Sequence, residues 1–317
     1  MGEFELIRRY FDRGPARRAA LGIGDDCAIL APPRGMDSLA VSSDMLLVDR
    51  HFFADDPPES IGHKCLAVNL SDLAACGAAP LAFTLALALP TPDEAWLDAF
   101  SRGLFQIADR FDCELVGGDT TRGPLAISIT VFGSVPGDAA LRRDRAQPGD
   151  DVWVSGTFGG PAWAVQEIRA GRRSGLPVAL LDRLTRPQPR VELGLALRHL
   201  ASAAIDVSDG LLGDLGHIAE RSRVGMTLRA DSVPVDAPVA ALDDPIRLAC
   251  AWSGGDVYEL AFCAAVENRA AIDALSARFG IALTRIGSVE AGEGIRVVDA
   301  RGLTLGGLPR SHDHFGS

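Results

Sequence analysis

Lysine is almost missing from this chain. Of its 31 basic residues, 30 are arginine and one, Lys64, is lysine. A phosphate-binding loop of the Gly-Lys-Ser/Thr type needs a lysine followed by a hydroxyl, and Lys64 is followed by Cys65, so that class of nucleotide-binding protein is excluded. Positive charge as a whole is also short. With 42 acidic residues the net charge is −11, which argues against a protein that tracks nucleic-acid backbones. Phosphorylated small molecules remain open to it if metal cations supply the positive charge. The six cysteines, Cys27, Cys65, Cys76, Cys113, Cys250 and Cys263, include no C-x-x-C pair, so a zinc knuckle and a thioredoxin-type motif are absent. Their scatter fits reduced, mostly buried thiols. The longest apolar run, Ala78 to Leu89, is interrupted by Pro80 and is too short for a membrane span. Met1 to Arg9 lacks the apolar segment of a signal peptide, and Leu6 breaks the myristoylation pattern. A cytoplasmic protein is expected. No repeat or low-complexity segment is evident.

What is present is an ordinary globular balance, with 47% apolar and 23% charged residues over 317 positions. That length suggests about two domains. Leu81, Phe83, Leu85, Leu87 and Leu89 alternate with Ala82, Thr84, Ala86 and Ala88, which predicts a strand with one bulky and one close-packed face. Thr91-Pro92-Asp93-Glu94 reads as a capping box, and Trp96, Phe100, Leu104, Ile107 and Phe111 continue it at helical spacing over 93–111. A helix is predicted over 58–76, stopped by Gly77, and strands at 126–135 and 152–154. Ala203-Ala204-Ile205 reads as a strand ending at Asp206, with a helix from Asp209 to about Arg221. A helix over 266–279 and strands over 281–289 and 295–305 follow. Turn signals at 136–138 and 147–150 flank an Arg-rich stretch. Strands and helices mix without regular alternation, so the expected fold class is α+β, with mixed sheets in two domains of about 1–137 and 138–317.

The chemistry gathers where predicted strands end in aspartate beside Gly or Ser: Gly24-Asp25-Asp26, Ser42-Ser43-Asp44, Gly117-Gly118-Asp119 and Asp206-Val207-Ser208-Asp209-Gly210. Asn69 and Asp72 add a polar pair at i, i+3 on the 58–76 helix. Any one of these is ordinary turn or cap chemistry. Together they offer the hard oxygen donors that Mg²⁺ prefers, glycines that let backbone N–H groups approach phosphate, and a helix start at Ser208-Asp209 suited to an anion. A Mg²⁺-nucleotide site without a phosphate-binding lysine loop is the hypothesis.

The stretches GEFELI (2–7), LGIGDDCAIL (21–30), HKCLAVNLSDLAACGA (63–78), LVGGDTTRGPL (115–125), QPGD (147–150), RPQPR (186–190), AIDVSDGLLGDLGHIAERS (204–222), SGG-YEL (253–260) and DHF (313–315) occur in this order. In this combination the chain resembles the thiamine-monophosphate kinase family, within the aminoimidazole ribonucleotide synthetase-like superfamily. The resemblance implies an N-terminal domain that pairs with its partner's into a dimer barrel, a C-terminal α/β domain and a homodimer. It implies transfer of the γ-phosphoryl of ATP onto thiamine phosphate with several Mg²⁺ ions. It carries metal roles onto Asp26, Ser42, Ser43, Asp44, Asp72, Asp119, Asp206 and Asp209. ATP contacts fall on Gly118, Asp119, Arg143 and Ser208, and substrate contacts on His51, Asp256 and His312. Asp209 and Asp119 fall at the catalytic centre, Asp209 as metal ligand first and weak proton acceptor second. The nucleophile is a phosphate oxygen already ionised near neutral pH, so no strong general base is required.

Three positions depart from the family pattern. Asp256 stands where the family has Glu, Val257 where it has Asp, and His312 where it has an aromatic residue. The first and third bear on the thiamine end. Two alternatives follow: another ATP-dependent activity of the superfamily, or a non-catalytic thiamine-phosphate-binding relative. ADP release on mixing protein, MgATP and thiamine phosphate separates them.

Overall fold

The computed structural model describes residues 19–21, 28–30 and 38–307. Asp26 and His312, and with them the Gly24-Asp25-Asp26 loop, lie outside the described residues. The first sheet contains β1 (Ala19–Leu21), β2 (Ala28–Leu30), β3 (Ser38–Leu47), β4 (Ala79–Leu89), β5 (Glu114–Arg122) and β6 (Ala126–Val135), in the order β1-β2-β3-β6-β4-β5. All neighbours are antiparallel except β4 and β5. Two helices join its strands, α1 (Pro58–Ala75) and α2 (Glu94–Arg110).

Cross-strand partners share a face, so register decides what each face carries. Asp44 pairs with Ile129, which pairs with Leu85, which pairs with Gly118. One residue along, Met45, Ser128, Ala86 and Asp119 form the neighbouring row on the opposite face. The bulky side of β4 is the inner one, with Phe83, Leu87 and Leu89 buried, and the alanine side is the outer one. The α1–α2 crossing is close because both helices have glycine at the contact: a Cβ on Gly62 would meet the Phe100 carbonyl oxygen at 2.1 Å, and one on Gly103 the Glu59 oxygen at 1.8 Å.

Beyond residue 150 come β7 (Asp151–Ser155), α3 (Gly160–Arg169), α4 (Val178–Thr185), α5 (Val191–Leu197), β8 (Ala201–Asp206), α6 (Leu211–Ser222), β9 (Gly225–Arg229) and α7 (Ala237–Ala240). The chain continues through α8 (Asp244–Ser253), β10 (Leu260–Ala264), α9 (Arg269–Phe279), β11 (Leu283–Glu290) and β12 (Gly294–Val298). The second sheet runs β12-β9-β11-β7-β10-β8, mixed again, with β9 and β12 parallel. β7, β8 and β10 are buried along most of their length, with apolar stretches at 152–154, 203–205 and 260–264.

The helix α1 is buried nearly all round, including His63, Lys64, Asn69 and Ser71. It packs on α2, β3 and β6 on one side and on α5 and β8 on the other. One apolar cluster therefore runs from Leu66, Leu70 and Phe83 through to Trp153, Leu260 and Phe262.

Four expectations are corrected. The strand expected to end at Asp44 runs on to Leu47, so Asp44 sits inside β3. The cap of α2 is Asp93, not Thr91: its Oδ1 accepts from the N–H groups of Ala95 at 2.9 Å and Trp96 at 3.1 Å. The Gly117-Gly118-Asp119 stretch is an edge strand rather than a loop; its exposure hides the apolar pattern that marks strands. The strand expected over 295–305 stops at Val298, where Asp299 turns the chain by accepting from the N–H groups of Arg301 and Leu303, both at 2.9 Å.

Candidate active site

The site is built on α1. Lys64, Val68 and Asp72 recur every fourth residue and so share one stripe, which lines a cavity of about 480 Å³ between the two sheets. The opposite wall is the strand-to-helix turn after β8 and the loop before β10. Four aspartates from separate elements face this cavity: Asp44 from β3, Asp72 from α1, and Asp206 and Asp209 around the turn.

Three of the four are tied to a neighbour. The Ser42 hydroxyl donates to Asp72 Oδ2 at 2.5 Å, and Ser71 donates to Asp206 Oδ2 at 2.6 Å. The Asp44 backbone N–H donates to Asn69 Oδ1 at 3.1 Å, and Asn69 Nδ2 donates to the Cys65 carbonyl at 2.9 Å. Polar residues of one buried helix thus tie the Asp44 backbone of the first sheet and the Asp206 carboxylate of the second.

The Ser208-Asp209-Gly210 turn is organised by a residue that sequence reasoning passed over. Asp214 Oδ2 accepts from the backbone N–H groups of Ser208 at 3.1 Å, Asp209 at 3.2 Å and Gly210 at 3.1 Å. Burial and the Asp209 charge push the Asp214 carboxyl up, against the pull of Arg143 and of the Asp209 and Gly210 N–H groups. Its signal was an acid in the first turn of a helix, four residues after Gly210. Asp214→Ala is expected to destabilise the fold by about 1–3 kcal/mol, the scale for donors left unpaired. Chemical denaturation checks this; an unchanged midpoint would mean that the turn holds without it.

The loop before β10 is laced to that turn. The Asp256 N–H donates to the Ser208 carbonyl and the Tyr258 N–H to the Val207 carbonyl, both at 2.8 Å. Asp256 and Tyr258 are held in the left-handed region, with φ of 61° and 54°. Lys64 Nζ lies 2.7 Å from Asp256 Oδ1, and the Tyr258 hydroxyl donates to the same oxygen at 3.3 Å. The Tyr258 phenol is pushed well up by burial, then by Asp256, Asp44, Asp206 and Asp209, so it stays protonated beside four carboxylates. Lys64 and Tyr258 were not singled out as site residues from sequence; for Lys64 the available sign was one basic residue inside an apolar helix.

Of the other sequence candidates, His51 and Ser208 line the cavity. His51 Nδ1 accepts from the Leu47 N–H at 3.0 Å, which orients the ring at the end of β3. Ser43 points to the other face of β3, where Thr130 donates to its hydroxyl at 2.9 Å. Gly118 and Asp119 are not in the cavity wall; Asp119 lies on the outer face of the first sheet, in the same cross-strand row as exposed Met45 but separated from it by Ser128 and Ala86. Gly118 is required by packing, because a Cβ there would sit 1.8 Å from the Leu85 carbonyl oxygen. Arg143 lies behind the turn, where its carbonyl accepts from Ser222 at 2.7 Å and its charge acts on Asp214. The five described cysteines are buried and free; burial pushes the Cys113 thiol up to about 12, so these are packing residues. No helix among the described residues is long and apolar enough to cross a membrane.

Comparison with known proteins adds to this geometry. Residues 24–135 match the family described as AIR synthase related protein, N-terminal domain, and residues 147–300 match its C-terminal domain. A thiamine-monophosphate kinase from Salmonella typhimurium is 44% identical over 331 aligned residues, covering 99% of this chain and 98% of that protein. The crystal structure of thiamine-monophosphate kinase from Stenotrophomonas maltophilia K279a superimposes with a TM-score of 0.81 at 47% identity, covering 93% of this chain and 94% of the other. A second structure, AaThiL complexed with AMPPCP and TMP, gives a TM-score of 0.83 at 28% identity, with 99% and 97% covered. With both parts of the fold matched in order and relatives aligned over nearly their whole length, the chain belongs to the thiamine-monophosphate kinase family of AIR synthase related proteins.

Proposed function

We propose that this protein transfers the γ-phosphoryl group of ATP to thiamine phosphate, forming thiamine diphosphate and ADP. The observation that carries the reading is the single cavity into which Asp44, Asp72, Asp206 and Asp209 project from both sheets. A phosphate oxygen of the acceptor attacks Pγ in line, the bond from Pγ to the β-bridging oxygen breaks, and ADP leaves. Such a transition state is loose, so positioning and charge neutralisation carry the rate. Two phosphate groups and four carboxylates repel one another, so the donor set calls for cations. These donors are all hard oxygens lining a wall, which fits Mg²⁺, an ion that takes a few carboxylates and completes its shell with water and substrate phosphates. Among the described residues no three of these side chains gather tightly enough to hold one ion, so Asp44, Asp72, Asp206 and Asp209 would share several ions with the substrate phosphates, and when bound these would neutralise charge developing on the phosphates. Ser42 and Ser71 keep the Asp72 and Asp206 carboxylates in place, Asn69 holds the Asp44 backbone, and the N–H groups of the 208–210 turn stay fixed on Asp214. The relative complexed with AMPPCP, an ATP analogue, and TMP supports the same pair of ligands. The domain reading of 1–137 as the dimerising, ATP-binding part and 138–317 as the part carrying the substrate loop belongs to this proposal, as does a cytoplasmic site of action.

ADP release measured with MgATP and thiamine phosphate tests the reading directly. Transfer is expected with both substrates present and is expected to vanish on thorough chelation of divalent ions. Release of ADP without thiamine diphosphate would overturn the acceptor assignment.

A homodimer completes the picture. The outer face of the first sheet carries Met45 at 59% exposure, Leu47 at 38% and, on the edge strand, Asp119. A second copy closing over this face would cover the apolar residues and give Asp119 a cavity other than its own chain's to reach. Light scattering is expected to give about twice the 33.4 kDa chain mass; a monomer at micromolar concentration would overturn this.

A further inference from the structure

Lys64 and Asp256 join parts of the chain that are otherwise on opposite walls of the cavity. Lys64 belongs to α1 and the first sheet, and Asp256 to the loop before β10 in the second. Their side chains are unequally exposed, 4% for Lys64 and 28% for Asp256, so the carboxylate faces the cavity and the ammonium backs it. Both Lys64 Nζ and the Tyr258 hydroxyl converge on Oδ1, which leaves Oδ2 as the oxygen for a ligand. Asp256 also stands among like charges, since Asp44, Asp206 and Asp209 act with it on the same phenol. Without a cation behind it, repulsion would turn this carboxylate outward, on a loop whose left-handed backbone already costs energy to hold.

We propose that Lys64 is a positioning residue that holds the Asp256 carboxylate against the acceptor, so that the cavity's grip on thiamine phosphate, but not on ATP, passes through the Lys64–Asp256 pair. This rests on the reading of Asp256 as an acceptor contact under the function proposed above. Lys64 acts through Asp256 and touches no substrate itself.

The test is a double-mutant cycle with a second readout. Lys64→Met should raise KM for thiamine phosphate by roughly tenfold or more, the scale of a charge-assisted hydrogen bond, and leave KM for ATP within about twofold. Asp256→Ala should do the same, and the double variant should be no worse than Asp256→Ala alone. Lys64→Arg should recover most of the loss. If Lys64→Met keeps its full effect in the Asp256→Ala background, or moves both KM values alike, the proposal is overturned. The second readout needs no turnover. Lys64 is the only lysine, so reductive dimethylation with formaldehyde and cyanoborohydride can modify no other side-chain amine. Peptide mass spectrometry should show slow labelling of Lys64 in the wild type and labelling faster by about tenfold in Asp256→Ala, since loss of a charge-assisted partner is worth that factor. Equal labelling rates would refute the pair itself. Normal labelling behaviour with no wild-type transfer to thiamine phosphate would refute the function while leaving the pair in place.

Discussion

Replacing Asp72 with asparagine is expected to lower turnover by about 100-fold or more, the scale of a lost electrostatic contribution to a phosphoryl transition state. The substitution keeps size and shape. Ser42 can still donate to the remaining oxygen, so the 2.5 Å contact loses charge assistance but not its partner. What disappears is a negative charge on the wall that also carries Asp44, Asp206 and Asp209. Stability should change little, because Asp72 is only half-buried and its helix is packed by apolar residues on either side. Steady-state ADP production beside a thermal melt checks both halves. A variant that keeps more than a tenth of wild-type turnover would mean that Asp72 is scaffold rather than a phosphate-cation residue. Asp206→Asn should act in the same direction with an added stability cost, since Asp206 is 3% exposed and accepts from buried Ser71.

Glu259→Ala is expected to be the most damaging single change to the fold. Glu259 is 2% exposed. Its carboxylate accepts from Arg190 Nε at 2.7 Å, Arg190 Nη2 at 2.5 Å and the Ser155 hydroxyl at 2.5 Å, with Arg183 at 3.7 Å. Gly156 makes the room, since a Cβ there would lie 2.1 Å from Oε1. Truncation leaves Arg190 facing a cavity with its counter-charge gone, while Arg183 keeps Asp236. Breaking a buried pair from one side costs about 3 kcal/mol or more. The same carboxylate anchors the strand end that carries Asp256 and Tyr258, so KM for the acceptor should rise as well. Denaturant titration gives the first quantity and initial-rate kinetics the second. A loss below about 1 kcal/mol, the range of an exposed pair, would mean that water reaches Arg190.

Sequence pattern was informative wherever one periodicity met one environment. β4 has a bulky and a small face because one packs on the core and the other is turned outward, and α2 shows helical spacing because it is half-covered. The helix α1 was placed correctly, but its apolar face was not a face: burial on all sides erases amphipathicity. The Gly117-Gly118-Asp119 strand looks like a loop in sequence because an exposed edge carries no apolar alternation. In the site, Asp44, Asp206 and Asp209 are visible as Asp beside Ser or Gly near strand ends and turns, and Asp72 as the partner of Asn69 at i, i+3 on a helix. Lys64, Tyr258 and Asp214 are not, because their meaning lies in contacts made across long stretches of chain or in a turn folded back on itself. The outward position of Asp119 needed strand register, which spacing alone does not contain.

The burial of α1 has a thermodynamic consequence. A helix whose side chains are shared by both sheets cannot be left behind when one of them melts, because its polar groups, Asn69 and Ser71 among them, would lose their partners together with its apolar contacts. Although two family profiles divide the sequence, heat should therefore dismantle the chain as one cooperative unit, with a calorimetric enthalpy equal to the van't Hoff value.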